Sequence, residues 1–488
     1  MILIALLLIA LLLLLSPLQK AERIATGLTG LGFVFSLYTL YSPAAAISGY
    51  GLHFEETGRL LSAVICFISL AVQTYSLRHL DGQRNKRQAF RYFTGLTISL
   101  IAFSAADHLL LMAGGLLLSN LLLVRLIGLN DRWEAAQASS RVALLHLGSG
   151  ALLLTAAAIA LYRLQGHFSL AMMEAEALPR AWPLAIGGLV LLAALTQSAI
   201  WPLHRWLIAS ANAPTPVSAF MHAGLVNGGA LLLFKFYPLL QLLSWSQTLL
   251  VLLGSLTAVA GTLWMLVQSD VKRTLTCSTM GQMGFMIMQC GLGLLPAAIA
   301  HMIWHGFFKA SLFLSAGSTV KAASNQSLRL HGPNALPIFA FGLLMGTAGA
   351  YIFWQFTGSA GSLTSTYSLL LLFCGITCAH AVMTILQPSP TFGRGLLAAA
   401  LGLLGATVYG LSVWAVERQV AHFTALPLNA LHLSIAAFFL LGWLFMVFRA
   451  YLPKAIESRW LSPLYVRFLQ SSQPVRSSLN LRRSAYRL

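Results

Sequence analysis

Apolar runs of about 20 residues follow one another along most of the chain, separated by short polar breaks. A run of that length crosses the hydrocarbon core of a bilayer as a helix. In lipid a spanning backbone has to satisfy its own hydrogen bonds, which restricts it to helices and closed barrels. The pattern predicts an all-α polytopic membrane protein. Of its 488 residues 58% are hydrophobic and 9% charged, where a soluble domain carries about 25% charged residues. There is room for about 14 or 15 transmembrane helices with short loops. The net charge of +18 reads as membrane topology, because cytoplasmic loops gather Lys and Arg. It implies no nucleic acid partner. The first apolar run lacks a basic n-region and a small-residue cleavage site, so it is expected to remain as the first span. Five cysteines (Cys66, Cys277, Cys290, Cys374 and Cys378) lie in apolar surroundings. Cys374 and Cys378 share a helix face with no nearby His or carboxylate, so packing is expected rather than metal binding.

The densest basic loop, RHLDGQRNKRQAFR at 78–91, is placed on the cytoplasmic side by the positive-inside rule. Counting back puts the N-terminus outside. The loops containing Arg132, Lys272 and Arg273, and Lys321 and Arg329 fall on the cytoplasmic side too. The tail carries Arg449, Lys454, Arg459, Arg467, Arg476, Arg482, Arg483 and Arg487 against Glu457. A cytoplasmic C-terminus with an odd number of spans fits these loops. The tail has two readings: a segment resting on anionic lipid, or a docking arm for a cytoplasmic partner.

The most informative stretch is 195–236, LTQSAIWPLHRWLIASANAPTPVSAFMHAGLVNGGALLLFKF. It begins and ends as a membrane helix but is broken by Pro202 and restarted at Pro214 and Pro216. Each proline removes an amide donor, and the freed carbonyls survive at membrane depth only where protein or water satisfies them. Gln197, His204, Arg205, Asn212, Thr215, Ser218, His222 and Asn227 gather around the breaks. Polar groups at that density predict a hydrated path; the alternative is a kinked packing helix with two buried histidines.

A second stretch, AAIAHMIWHGFFKASLFLSAGS at 297–318, places His301, His305 and Lys309 four residues apart. They share one helix face at about 6 Å intervals along the axis. Lys309 is the one lysine in the middle of a span, where an ammonium is costly unless solvated or neutralised. Burial favours the neutral amine, so this group can bind and release a proton. Imidazoles do so near neutral pH already. The row reads as a proton relay, against the alternative of a snorkelling lysine with two core histidines. Zinc at His301 and His305 lacks a third ligand, so no metal is expected. Asp107 and His108 read as an interfacial pair, Lys235 as a snorkelling helix end, and Asp270, Lys272 and Arg273 as a cap with topogenic charges. Nothing resembles a nucleotide loop or a Ser/His/Asp constellation; the chain reads as a transport subunit, not an enzyme, and no cofactor is implied.

Three motifs in order, WPLHRWL…APTPVSAFMHAG, DVKRTLTCSTMGQMGF and HMIWHGFFKASLFL, resemble the antiporter-like subunits of respiratory complex I and Mrp-type cation/proton antiporters. The likeness covers about residues 90–321. It implies two inverted five-helix repeats, each with a discontinuous helix, and protons moving along a central line of charged groups. By this resemblance His222, His301, His305 and Lys309 match proton-path positions. The implied organisation is N-terminal transmembrane helices at 1–88, a proton-translocating core at 89–386, further helices at 387–450 and a basic cytoplasmic tail at 451–488.

The departures are specific. Counted from Asp107 without gaps, the family's fifth-helix glutamate falls at Leu117, and its partner lysine falls at Gln197. Losing both together avoids an orphaned buried charge, which would cost about 3–5 kcal/mol. The third family lysine and the long lateral arm have no counterpart. HAGLVNGG at 222–229 is similar to a narrower group, the DabB subunits of DabA–DabB inorganic carbon accumulation complexes. That resemblance implies a bacterial inner-membrane subunit that conducts protons or another cation. It would energise CO2/bicarbonate uptake by DabA, a cytoplasmic zinc protein resembling carbonic anhydrase. Lys309 would be the central carrier, His301 and His305 its neighbours, His222 and Gln197 path residues near the first break, and His204 the mouth. The alternative is an Mrp-type antiporter or a complex I-like pumping subunit.

Overall fold

Hydrophobic segments long enough to span a bilayer have only the helix open to them as single chains, and the computed structural model is built of helices joined by turns and loops, with isolated β-bridges but no β-strand among its described residues. These are 2–42, 51–316, 330, 333–358, 363–419, 425–448, 462–474 and 476–478. In chain order the helices are α1 (Ile2–Leu15), α2 (Ala21–Tyr41), α3 (Glu56–His79), α4 (Lys86–Ala105), α5 (Leu109–Ile127), α6 (Glu134–Gln165), α7 (Trp182–Gln197), α8 (Arg205–Ala209), α9 (Thr215–Ala223), α10 (Gly228–Lys235), α11 (Tyr237–Gln241), α12 (Ser244–Val267), α13 (Val271–Gly291), α14 (Leu295–Ser315), α15 (Ala335–Thr357), α16 (Tyr367–Leu386), α17 (Phe392–Gln419), α18 (Ala430–Phe448) and α19 (Ser462–Ser471). Among the described residues eleven helices are long and apolar enough to cross a membrane, α9 and α10 counting as one, and α1 and α7 are shorter apolar helices. With α4 and α13, of 20 and 21 residues but more polar, they make fifteen segments. Lys321, Arg329 and most of the basic tail lie outside the described residues.

The chain divides into two units, Met1–Cys290 with His301–Lys321 and Phe468–Leu488, and Gly291–Ala300 with Ala322–Arg467. In the first unit α1 is packed rather than free. Ala10 and Leu14 meet Ala21, Ala25 and Phe90, and Leu3 and Leu7 meet Cys66 and Ile101. Helices α4 to α7 pack each against the next. Helices α12 and α13 approach at their backbones. A Cβ on Gly254 would lie 2.5 Å from Met288 N, one on Gly261 2.4 Å from Gly281 N, and one on Gly284 2.4 Å from Ala258 N. Small residues allow such contact in membranes, where van der Waals packing holds helices together. The contact fixes the rotation of α13.

In the second unit α15, α16 and α17 pack in the same way: a Cβ on Gly346 would lie 2.6 Å from Gly375 O. Cys378 packs against Gly349 and Gly402 and donates to Met345 O at 3.3 Å. Pro337 sits in the first turn of α15, where a proline has no helical bond to break, and α15 runs uninterrupted to Thr357.

Candidate proton path

The first break falls where the prolines put it. Helix α7 ends at Gln197, Ala199 takes a left-handed φ of 53°, and α8 restarts at Arg205. Helix α9 begins with Pro216 in its first turn, which needs no donor there. A further break has no proline: a 3-10 turn, Leu225–Asn227, separates α9 from α10 inside the glycine-rich HAGLVNGG. The carbonyls around both breaks find side chains. Thr196 O accepts from Trp206 Nε1 at 3.0 Å, Leu225 O from Gln197 Nε2 at 3.1 Å, and Val226 O from Ser198 Oγ at 2.9 Å. Gly229 admits the close approach of α10 to α7, since a Cβ there would lie 2.2 Å from Ala194 O.

Lys309 is fully buried, with its side chain inside the first unit. Its ammonium donates to Ser278 Oγ at 2.8 Å and approaches Leu275 O at 3.5 Å, both on α13. One turn earlier His305 is 4% exposed, and neither ring nitrogen meets a partner among the described residues. His301 lies edge-on to His305 with ring centroids 6.3 Å apart. Its Nδ1 is 3.0 Å from Gln289 Oε1 and its Nε2 2.8 Å from Gln282 Oε1. An amide can turn either end to an imidazole, so two glutamines can hold the ring in its neutral or its cationic form. His222 is fully buried and stacks on Phe313 at 4.4 Å, with Nε2 3.5 Å from Thr276 Oγ1. Buried nitrogens without protein partners are ordinarily met by water. No ion pair to Lys309 is present among the described residues.

Helix α13 therefore touches three of the four groups that the sequence singled out on α9 and α14. Thr276, Ser278, Gln282 and Gln289, the residues that make these contacts, are not among those singled out from the sequence. Their signal was there: polar side chains at helical spacing inside an apolar run.

Gln197 and His204 stand elsewhere. Gln197 and Asn120 exchange reciprocal amide bonds, Asn120 Nδ2 to Gln197 Oε1 at 3.1 Å and Gln197 Nε2 to Asn120 Oδ1 at 3.2 Å, and each is 1% exposed. Asn120 also donates to Leu147 O at 3.1 Å. The residue facing Gln197 is thus Asn120, not Leu117, which is only partly buried. His204 lies against Trp264 of α12 at 5.0 Å.

The remaining polar groups hold corners. Asp107 accepts from Ser169 Oγ and Ala171 N, both at 2.7 Å, and His108 stacks on Phe168. Lys235 donates to Ala106 O at 3.0 Å. Asp270 caps α13 by accepting from Arg273 N at 2.8 Å, and Lys272 donates to Ala213 O. A cavity of about 940 Å³ opens beside Lys272, lined also by Arg84, Arg132, Asn212, Ala213 and Thr215.

The sequence model for the transmembrane family of NADH:quinone oxidoreductase and Mrp antiporters matches residues 106–384. The chain belongs to this family. Within it the chain is of the DabB type. It is 33% identical over 374 residues to a probable inorganic carbon transporter subunit DabB of Bacillus anthracis, covering 75% of this chain and 71% of that protein. It is 39% identical over 308 residues to the corresponding protein of Bacillus subtilis, covering 61% and 60%. The chain thus spans less than two thirds of the second relative. Among solved structures, one of an Mrp complex from Dietzia matches 97% of this chain and 51% of the other, with 22% identity and a TM-score of 0.59. At that identity the likeness is one of fold.

Proposed function

We propose that this chain is the proton-conducting membrane subunit of an inorganic carbon accumulating complex, energising CO2/bicarbonate uptake by a cytoplasmic zinc protein of the DabA kind. The observation that carries the reading is the fully buried amine of Lys309 on Ser278, with His305 and His301 ahead of it on one face. The names of the relatives supply the carbon side. Protons enter from the cavity beside Lys272 on the cytoplasmic side, reach His222 and Lys309, and continue through His305 to His301, with water completing the steps between rings. Residues 89–386 form the translocating core; Gln197 and His204 flank the path at the first break. An amine and imidazoles suit protons, whereas sodium is a hard cation that wants oxygen ligands. The N-terminus lies outside and the C-terminus in the cytoplasm of a bacterial inner membrane. Zinc and hydration chemistry belong to the partner.

The test is proton flux into liposomes holding the purified subunit, read by an internal pH dye under an imposed potential. Lys309→Met should lower flux by about 100-fold or more, the range of a lost acid–base group. Wild-type flux in that variant sinks the reading. Because the family also includes Mrp antiporters, sodium- or potassium-driven proton exchange without any partner would favour antiport instead.

A further inference from the structure

The segment after α19 behaves as neither expectation for the tail foresees. It bonds to its own chain. Ser472 Oγ accepts from Gln268 Nε2 at 2.7 Å, Gln473 Oε1 from Arg273 Nη1 at 3.2 Å, and Ser478 O from Asn212 Nδ2 at 2.7 Å. Ser472 and Ser478 are each 1% exposed, deep burial for serines. Asn212 Nδ2 also reaches Ser139 Oγ on α6 at 3.0 Å.

The positions touched converge on one contact. Lys272 donates to Ala213 O, the carbonyl just before Pro214, at the rim of the cavity. The tail holds Asn212, the residue before that carbonyl, and Arg273, the residue after that ammonium. Pro214 and Pro216 bring no amide donors to the α8–α9 junction, so side chains supply much of what fixes it. From Lys272, α13 runs on to Thr276 and Ser278, which meet His222 and Lys309.

We propose that Ser472, Gln473 and Ser478 form a strap that holds the α8–α9 junction against the start of α13 and keeps the mouth of the proton path restricted. Asn212 is its positioning residue. An ammonium pinned at the mouth repels an incoming proton, more strongly than it would in water. Releasing the strap frees the carbonyl that pins it. A cytoplasmic partner that takes up the strap on docking then widens a path that is restricted without it, a shift between two states of one junction. The inference rests on the proton-path reading above.

The experiment measures proton flux in liposomes for the full chain, a chain ending at Ser471, Asn212→Ala, Gln473→Ala and Gln473→Glu. The shortened chain and both alanine variants should conduct faster, by about tenfold for the shortened chain, a usual size for coupling between sites. Gln473→Glu keeps an acceptor for Arg273 and should stay at the wild-type rate. Equal flux in the shortened chain and both alanine variants, each folded by thermal unfolding, overturns the strap. If the shortened chain does not fold, the two alanine variants decide alone. Lys309→Met separates the two ideas: unchanged flux there defeats the proton path itself, whereas a dead Lys309→Met with unaltered strap variants defeats only the strap.

Discussion

In the proposed path a single residue, Lys309, carries the mechanism. The buried amine is tolerated because Ser278 Oγ and the Leu275 carbonyl accept from it, and the proposed path requires that it give up a proton. Arginine keeps the charge but does not deprotonate in proteins. Lys309→Arg is therefore expected to be as inactive as Lys309→Met in the flux assay, which separates proton release from positive charge. The Asn120–Gln197 pair makes the opposite case, a buried couple with nothing to titrate. Asn120→Leu should destabilise the protein by about 1–3 kcal/mol, because it strands the Gln197 amide. Adding Gln197→Leu should recover part of that loss. A double-mutant cycle of unfolding in detergent should give a coupling of about 1 kcal/mol or more; additive losses would show that the two amides do not interact.

Helix α13 is the element on which the site depends. Its glycines seat one face on α12, and that seating turns Thr276, Ser278, Gln282 and Gln289 toward His222, Lys309 and His301. A side chain on Gly284 meets the Ala258 backbone, which cannot yield as a flexible side chain could. Gly284→Val is expected to lower stability by about 1–3 kcal/mol or more. It should also reduce flux beyond what the lost stability explains, because Ser278 moves with the helix. Thermal unfolding and flux measured on the same preparation check both. The helix was legible as a motif, but which way its polar groups face was not. Spacing gives a face; only packing gives that face a neighbour.

For the whole molecule the orientation is open to a direct check. Single cysteines placed at Arg84 and at Ser169 should label from opposite sides of the membrane, Arg84 from the cytoplasm, using an impermeant thiol reagent on intact cells and inverted vesicles. The same side for both would break the chain of spans on which the orientation rests. The basic tail shows the limit of reading charge alone. Its arginines suggested lipid or a partner, yet its described serines and glutamine bond to the α8–α9 and α12–α13 junctions. Short polar side chains carry little signal in a sequence because their effect depends wholly on what they meet.

The sequence by itself determined the membrane class, the broken helix at its prolines, and the shared face of His301, His305 and Lys309. Each follows from local rules: hydrophobic length, the missing proline amide and helical periodicity. Only the tertiary structure decided that Asn120 answers Gln197, that α13 side chains meet His222, His301 and Lys309, and that the tail returns to the α8–α9 junction. Those contacts join residues 77, 31 and 266 positions apart, and no local rule reaches across such separations. They are set by how helices pack once each has formed.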